Sequence, residues 1–421
     1  MRKYDSRVQR LQSLLMVLVL ALSFQLSAQN LDLLTHHVSG KYRGMAGAGM
    51  AAVKGVSAVD LNPAGLAGTE HIAFAVSQST TYYRYSLFRQ NVGNWAFNTV
   101  WHSSRYNFEN LLAAVPLNKK IGLGIGYVQK LNPFLKNSRR AITGSSLINQ
   151  VTGGSVYAVT VASGININKN ILLGISLARY TGTVTSKLQG DNHGRELYKS
   201  AQLESDLQGV NLAFGVIFKT EKFSAGAAFA PPFELAVDAQ KQISTDSSYA
   251  ALFPNYDQAQ WKMPWIGRLG FAYTEANWTF AFDVETHRYE SSAVRLNLVE
   301  FGGAPNWKDS NIWRAGVEFY PFRRLRLPLR LGYASVPQLY ASNIAVGDAN
   351  NISSYENTQQ NIKQLWTAGT TLAYANFTLH LGLEYATLKW HRDLQTRDSI
   401  ADDYQEKNYV LAAELIYSFP R

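Results

Sequence analysis

Catalysis needs nucleophiles, bases or metal ligands at fixed spacing, and this chain offers few. It has no Cys, which removes thiol chemistry, Cys-held metals and disulfide staples together. Its eight His are scattered. The one adjacent pair, His36-His37, stands near the N-terminus without carboxylates at ligand spacing. No G-x-S-x-G elbow occurs in the sequence. The glycines of Gly44–Gly49 lack the preceding strand and following helix of a phosphate loop. No metal, no cofactor and no enzyme activity are expected.

What remains suits binding. Arg314, Arg326 and Arg330 fall on the polar side of alternating segments, and an Arg can hold a carboxylate through two parallel hydrogen bonds. The same three can instead neutralise Glu318, Glu384, Asp283 and Glu414, or bind another part of the chain. Phe134, Leu135, Leu147, Ile148, Leu252 and Phe253 are apolar residues set in polar connecting stretches. They are candidates for a hydrophobic groove, or for packing within loops.

The elements that must position these residues are legible in the period. Between residues 325 and 334, Leu325, Leu327, Leu329, Leu331 and Tyr333 share one face of a strand, while Arg326, Pro328, Arg330 and Gly332 share the other. Residues 377–385, 313–320, 278–285, 171–178 and 411–419 repeat the pattern. Many runs approach ten residues, the length of a tilted membrane strand, whereas soluble strands average about five or six. Aromatics make up 12% of the chain and often end the apolar faces, as interfacial girdles require. The mean hydropathy is slightly negative, as in a barrel where alternate residues face a polar lumen. The fold class expected is all-β: a transmembrane antiparallel β-barrel of about fourteen strands. Pairing of residues 95–101 with something would raise the count to sixteen. Residues 131–154, 181–208, 231–264, 289–311, 335–364 and 386–408 read as long loops, alternating with short turns such as residues 166–170, 219–222 and 274–277.

The N-terminus settles the compartment. Arg2, Lys3, Arg7 and Arg10 precede the apolar run 14–24, and Leu26-Ser27-Ala28 offers a cleavage site, so residues 1–28 read as a secretory signal. The full chain is formally +10; the first 28 residues hold four basic and one acidic side chain, leaving +7. An exported chain without basic clusters interleaved with aromatics is not expected to bind nucleic acid. Its expected surroundings are outer-membrane lipid and lipopolysaccharide in a bacterial outer membrane, as a monomer.

Residues 29–68 precede the first strand and form the expected hatch; residues 69–421 form the barrel. About fourteen strands leave a lumen wide enough to leak. The small residues of Gly44–Gly68 let backbone approach the wall, and Asn62-Pro63-Ala64 fixes a corner where no N–H is needed. Gly122, Gly124 and Gly126 occupy the inward face of one strand, making room there and weakening it.

"GMAGAGMAAV" followed by "LNPAGLA", Asn306-Trp307-Lys308-Asp309, the segment 312–337 and "WTAGTTLAYANFTLHLGLEY" resemble the FadL/TodX family of outer-membrane transporters for hydrophobic compounds. The resemblance runs in order over roughly residues 40–420, although this chain ends Phe419-Pro420-Arg421 rather than on an aromatic residue. It implies a fourteen-stranded barrel plugged by a hatch, with Asn62, Pro63 and Ala64 at the gate. It implies passive uptake of long-chain fatty acids or aromatic hydrocarbons, captured in an extracellular groove. Exit would be sideways at a kinked third strand, that of Gly122, Gly124 and Gly126. The alternative is a barrel of the same design that binds a partner in a secretion apparatus of type IX kind.

Overall fold

The computed structural model describes residues 40–91, 96–132, 135–140, 146–192, 195–243, 260–291, 308–321, 327–348, 351–395 and 400–420. Over these the chain builds a closed antiparallel barrel of fourteen strands. The wall begins with β1 (Ala73–Asn91), β2 (Ala96–Pro116) and β3 (Ile121–Leu131), which β4 (Leu135–Arg140) continues. β5 (Ser146–Asn166), β6 (Ile171–Asn192) and β7 (Arg195–Lys219) follow. β8 (Phe223–Ala230) is continued by β9 (Phe233–Ile243), and β10 (Gln260–Met263) by β11 (Ile266–Glu275). β12 (Trp278–His287), β13 (Ser310–Phe319), β14 (Leu329–Asp348), β15 (Asn351–Tyr374), β16 (Phe377–Gln395) and β17 (Ile400–Ser418) complete it. Three strands are each in two pieces. The barrel closes where β1 pairs with β17, from Ala73 opposite Ser418 to Asn91 opposite Ile400, so no edge is left at that joint.

The alternation has its expected sense. On β14, Leu329, Leu331 and Tyr333 are exposed while Arg330 and Ala334 are buried. The same outward display recurs around the wall, with Leu331 61% and Leu383 59% exposed. A continuous exterior of Leu, Val, Ile and Phe has hydrocarbon as its natural solvent. Rings mark its limits. Tyr82, Tyr409, Tyr385, Trp366 and Tyr333 form a chain of neighbours 5.2–6.1 Å apart across five strands. Near the short turns, Phe74, Phe419, Tyr417 and Phe377 do the same at 4.9–5.8 Å. Along β17 and the residue that follows it, the two girdles are ten residues apart, from Tyr409 to Phe419. At a rise of roughly 3.3 Å and a tilt of roughly 40° this spans about 25 Å, the height of the apolar band of a membrane barrel. Among the described residues no helix is long and apolar enough to cross a membrane; the crossing is made by strands.

The strands are far longer than the expected loops allow. β6 has 22 residues, β7 has 25 and β15 has 24. Much of 131–154, 181–208 and 335–364 is therefore ladder rather than loop. Residues 96–101 are the outer end of β2, paired to β1, so the count stays at fourteen. Beyond the hydrocarbon the ladder continues, but the outward face no longer needs to be apolar, so the period reverses in polarity. On β7, Val210, Leu212, Phe214, Val216 and Phe218 face outward; above them the same face carries Gln208, Asp206 and Glu204. Leu203 and Leu207 turn inward there. β14 also starts later than expected, at Leu329: Pro328 has no N–H to give a ladder.

Prolines also break the wall. β8 stops at Pro231-Pro232 and β10 at Pro264, at the same height. The β8–β11 ladder ends with Ala230 opposite Ile266, and the next pair is Phe233 opposite Met263. On the other flank, pairing to β7 lapses between Phe214–Phe229 and Gly209–Leu235.

Residues 40–68 fold as short helical turns, Gly40–Arg43, Gly55–Ser57, Ala58–Leu61 and Pro63–Gly68, against inward-facing wall residues. Met45, Met50, Ala58, Asn62, Ala64 and Leu66 are all buried. Inward glycines receive the segment: a Cβ on Gly174 would strike Pro63 and Ala64, one on Gly226 would strike Ala51, and one on Gly316 would strike Met45.

Candidate functional site

The inner segment is fastened by wall carboxylates. Arg43 donates from Nη1 to Glu109 at 2.7 Å, and its Nε lies 2.9 Å from Glu384. Glu414 accepts the Gly40 N–H at 3.1 Å. Asp283 accepts those of Gly49 and Met50 at 2.8 and 3.0 Å. Burial would make each of these charges costly alone; pairing offsets that cost. Around Arg43, whose side chain is 5% exposed, the two glutamates hold the guanidinium more firmly in its charged form than usual, outweighing its desolvation.

Asn62, Pro63 and Ala64 form one corner. Asn62 Oδ1 accepts the Ala64 N–H at 3.2 Å, and its amide donates to the carbonyls of Val216 and Ala227, each at 3.4 Å. Pro63 begins the helical turn that follows.

Gly122, Gly124 and Gly126 point inward, where Leu66 and Val59 fill the space they leave. The wall beside them is unbroken. β3 pairs with β2 from Pro116–Gly122 to Asn110–Val128, and with β5 from Ile121–Ile165 to Gln129–Tyr157. Over Gly122–Gly126 the glycines seat the inner segment without interrupting the ladder, although the same wall strand shifts register between Gln129 and Leu131 and is split between β3 and β4. A discontinuity shared by two adjacent strands lies at Pro231-Pro232 and Pro264.

Behind that discontinuity is a pocket between the inner segment and the wall. It opens to solvent at its mouth. Leu61 and Met50 of the segment face Tyr180, Phe233, Met263 and Ile266 of the wall. The polar side holds Lys130 with Asp60, and Arg268 and Arg314 about Glu285. Above it, the inward residues Leu131, Val156, Leu207, Leu235, Val237 and Trp261 continue the apolar lining.

Of the expected head-group residues, Arg314 borders this pocket, its Nη1 2.9 Å from Glu285. Arg330 lies elsewhere, donating to Glu318 at 2.6 Å and Thr371 at 2.7 Å. Arg326, Phe134, Leu252 and Phe253 lie outside the described residues, and Leu135 belongs to β4 with its side chain likewise outside them. Arg268, Lys130, Asp60 and Tyr180 were missed by the sequence reading. The signal for the upper lining was present in "ELAVDAQ" (Glu234–Gln240), where the apolar phase belongs inside and the acidic phase outside.

A family model described as BamG matches residues 14–325. The chain belongs to the BamG family. Its fold is shared with solved outer-membrane channels of low sequence identity. A Pseudomonas aeruginosa FadL homologue superposes with a TM-score of 0.62 at 13% identity, covering 93% of this chain and 100% of that one. The P. putida toluene transporter TodX gives 0.59 at 12%, with 93% and 100% covered. The Ralstonia pickettii toluene transporter TbuX gives 0.54 at 13%, with 92% and 100% covered. A comparison with curated proteins finds no match. For this BamG-family barrel the likeness to FadL is thus one of architecture, and the site must be argued from its own residues.

Proposed function

We propose that this protein is a bacterial outer-membrane channel for passive uptake of hydrophobic compounds. The observation that carries the reading is the pocket. One side is apolar, from Tyr180, Phe233, Met263 and Ile266, and it is bounded below by the inner segment through Leu61 and Met50. An apolar ligand leaving water for such a lining gains roughly 25 cal/mol per Å² buried. The relatives named for toluene or related to FadL support the same reading through their fold.

In this reading residues 1–28 direct export and residues 29–68 are the hatch, with Asn62, Pro63 and Ala64 at its gate. Capture occurs on the side of the long strands. Exit into the bilayer occurs where Pro231, Pro232 and Pro264 leave the wall without ladder bonds, beside Phe233 and Ile266. This replaces the third strand as the sideways route.

Uptake of toluene by cells with and without the protein tests the reading. Cells carrying it should accumulate toluene faster, and Met263→Arg, which places a charge in the pocket, should abolish the gain. Equal uptake by both cell types would contradict the proposal.

A further inference from the structure

We infer that the pocket selects an uncharged hydrophobic ligand over an anionic one, and that Asp60 of the inner segment is the residue that sets this preference. The inference rests on the channel reading above and names its substrate class.

Three cations border the pocket: Lys130, Arg268 and Arg314. Each already has a carboxylate. Asp60 pairs with Lys130. Glu285 Oε2 lies 2.9 Å from Arg268 Nε and 2.9 Å from Arg314 Nη1. The third carboxylate, Asp283, is engaged by the Gly49 and Met50 N–H groups. Three positive charges therefore face three negative ones. His287 is also occupied, by Glu285 at Nε2 and by the Tyr289 hydroxyl at 3.3 Å from Nδ1.

A fatty-acid head group would have to shed its water here without an uncompensated cation to receive it, and close to two or three carboxylates. Desolvation without pairing is unfavourable for an ion and absent for a neutral molecule. An alcohol, ketone or arene can use the apolar lining without that cost.

Asp60 stands out among these carboxylates because it is the one carried by the inner segment and paired there with a single wall cation. Lys130 is on β3, while Asp60 is on the buried segment. Asp60 is also the more accessible carboxylate, its side chain 15% exposed against 4% for Glu285, while the two cations, Lys130 at 24% and Arg268 at 27%, are alike. Removing the charge of Asp60 leaves Lys130 bare at the edge of the pocket, where it can anchor an anion.

The test uses the mature protein in lipid nanodiscs near pH 7, where a free carboxylic acid is ionised. Hydrocinnamyl alcohol and hydrocinnamate share one skeleton and differ in head-group charge; their binding is measured by equilibrium dialysis against empty nanodiscs. Wild type should bind the alcohol at least about tenfold more tightly. Asp60→Asn should strengthen hydrocinnamate binding about tenfold or more, and adding Lys130→Met to it should restore the original preference. Wild type binding the acid as tightly as the alcohol would overturn the inference, as would an unchanged ratio in Asp60→Asn. If Asp60→Asn does not give a heat-modifiable barrel, Lys130→Met alone decides. It should weaken the acid further, and a gain for the acid would overturn the inference. If neither probe binds wild type, the pocket is not a ligand site and the channel reading falls as well.

Discussion

Gly215 on β7 faces the side chain of Asn62, and a Cβ at that glycine would come within 2.0 Å of Asn62 Oδ1. The close approach lets the Asn62 amide reach the carbonyls of Val216 and Ala227 on two different strands. Gly215→Val should therefore unseat the corner at Pro63 and cost about 1–3 kcal/mol, as overpacking does. The temperature at which the barrel loses its heat-modifiable mobility on a gel should fall. Asn62→Ala in the same chain should recover part of the loss, since it empties the space the valine needs.

Arg43 is the strongest fastening of the inner segment to the wall. Arg43→Met leaves the buried Glu109 and the half-buried Glu384 without their shared cation, and such a loss typically costs about 3–5 kcal/mol. The variant should unfold at lower temperature and show brief current openings in planar bilayers. A variant as stable and as silent as wild type would mean that the ion pairs do not hold the segment.

Residues 230–234 can be knitted into the wall. Pro231→Val with Pro232→Thr supplies two N–H donors to strands that now lack them, so the ladder between β7, β8 and β11 can extend. Thermal stability should rise or hold, while toluene uptake should drop several-fold if the ligand leaves there. Undiminished uptake would remove this route from the account.

The orientation of the wall is open to a single exchange. Leu331 is exposed on the apolar part of β14, next to the buried Arg330. Leu331→Arg should cost about 1–3 kcal/mol of folding stability in lipid vesicles, between the interfacial and the midplane penalty for a charge facing hydrocarbon. In a wall that met water instead, the same arginine would be nearly neutral.

The membrane part of each strand was legible because hydrocarbon enforces an apolar residue at every second position. Hence Leu329, Leu331 and Tyr333 were assigned their face correctly from sequence. The outer halves of β5, β6, β7, β14 and β15 were not legible. On β7 and its neighbour β9 the described outward face is polar, the inward face holds Leu203, Leu207 and Leu235, and a search for apolar-out alternation passes over them. The glycines of β3 announced a close neighbour, which proved to be Leu66 and Val59. They did not announce a gap, because glycine weakens a ladder without removing its N–H, whereas Pro231 and Pro232 remove it. The pocket was hidden for a related reason. Asp60, Lys130 and Arg268 lie on three separate elements, and only the closed barrel brings them together.

The most direct test is single-channel conductance of the mature protein in planar lipid bilayers, with and without residues 29–68. The account predicts a nearly silent channel that becomes a steady, open pore for small ions once the segment is deleted and the remaining barrel inserts. Equal conductance before and after deletion would show that the segment does not fill the lumen.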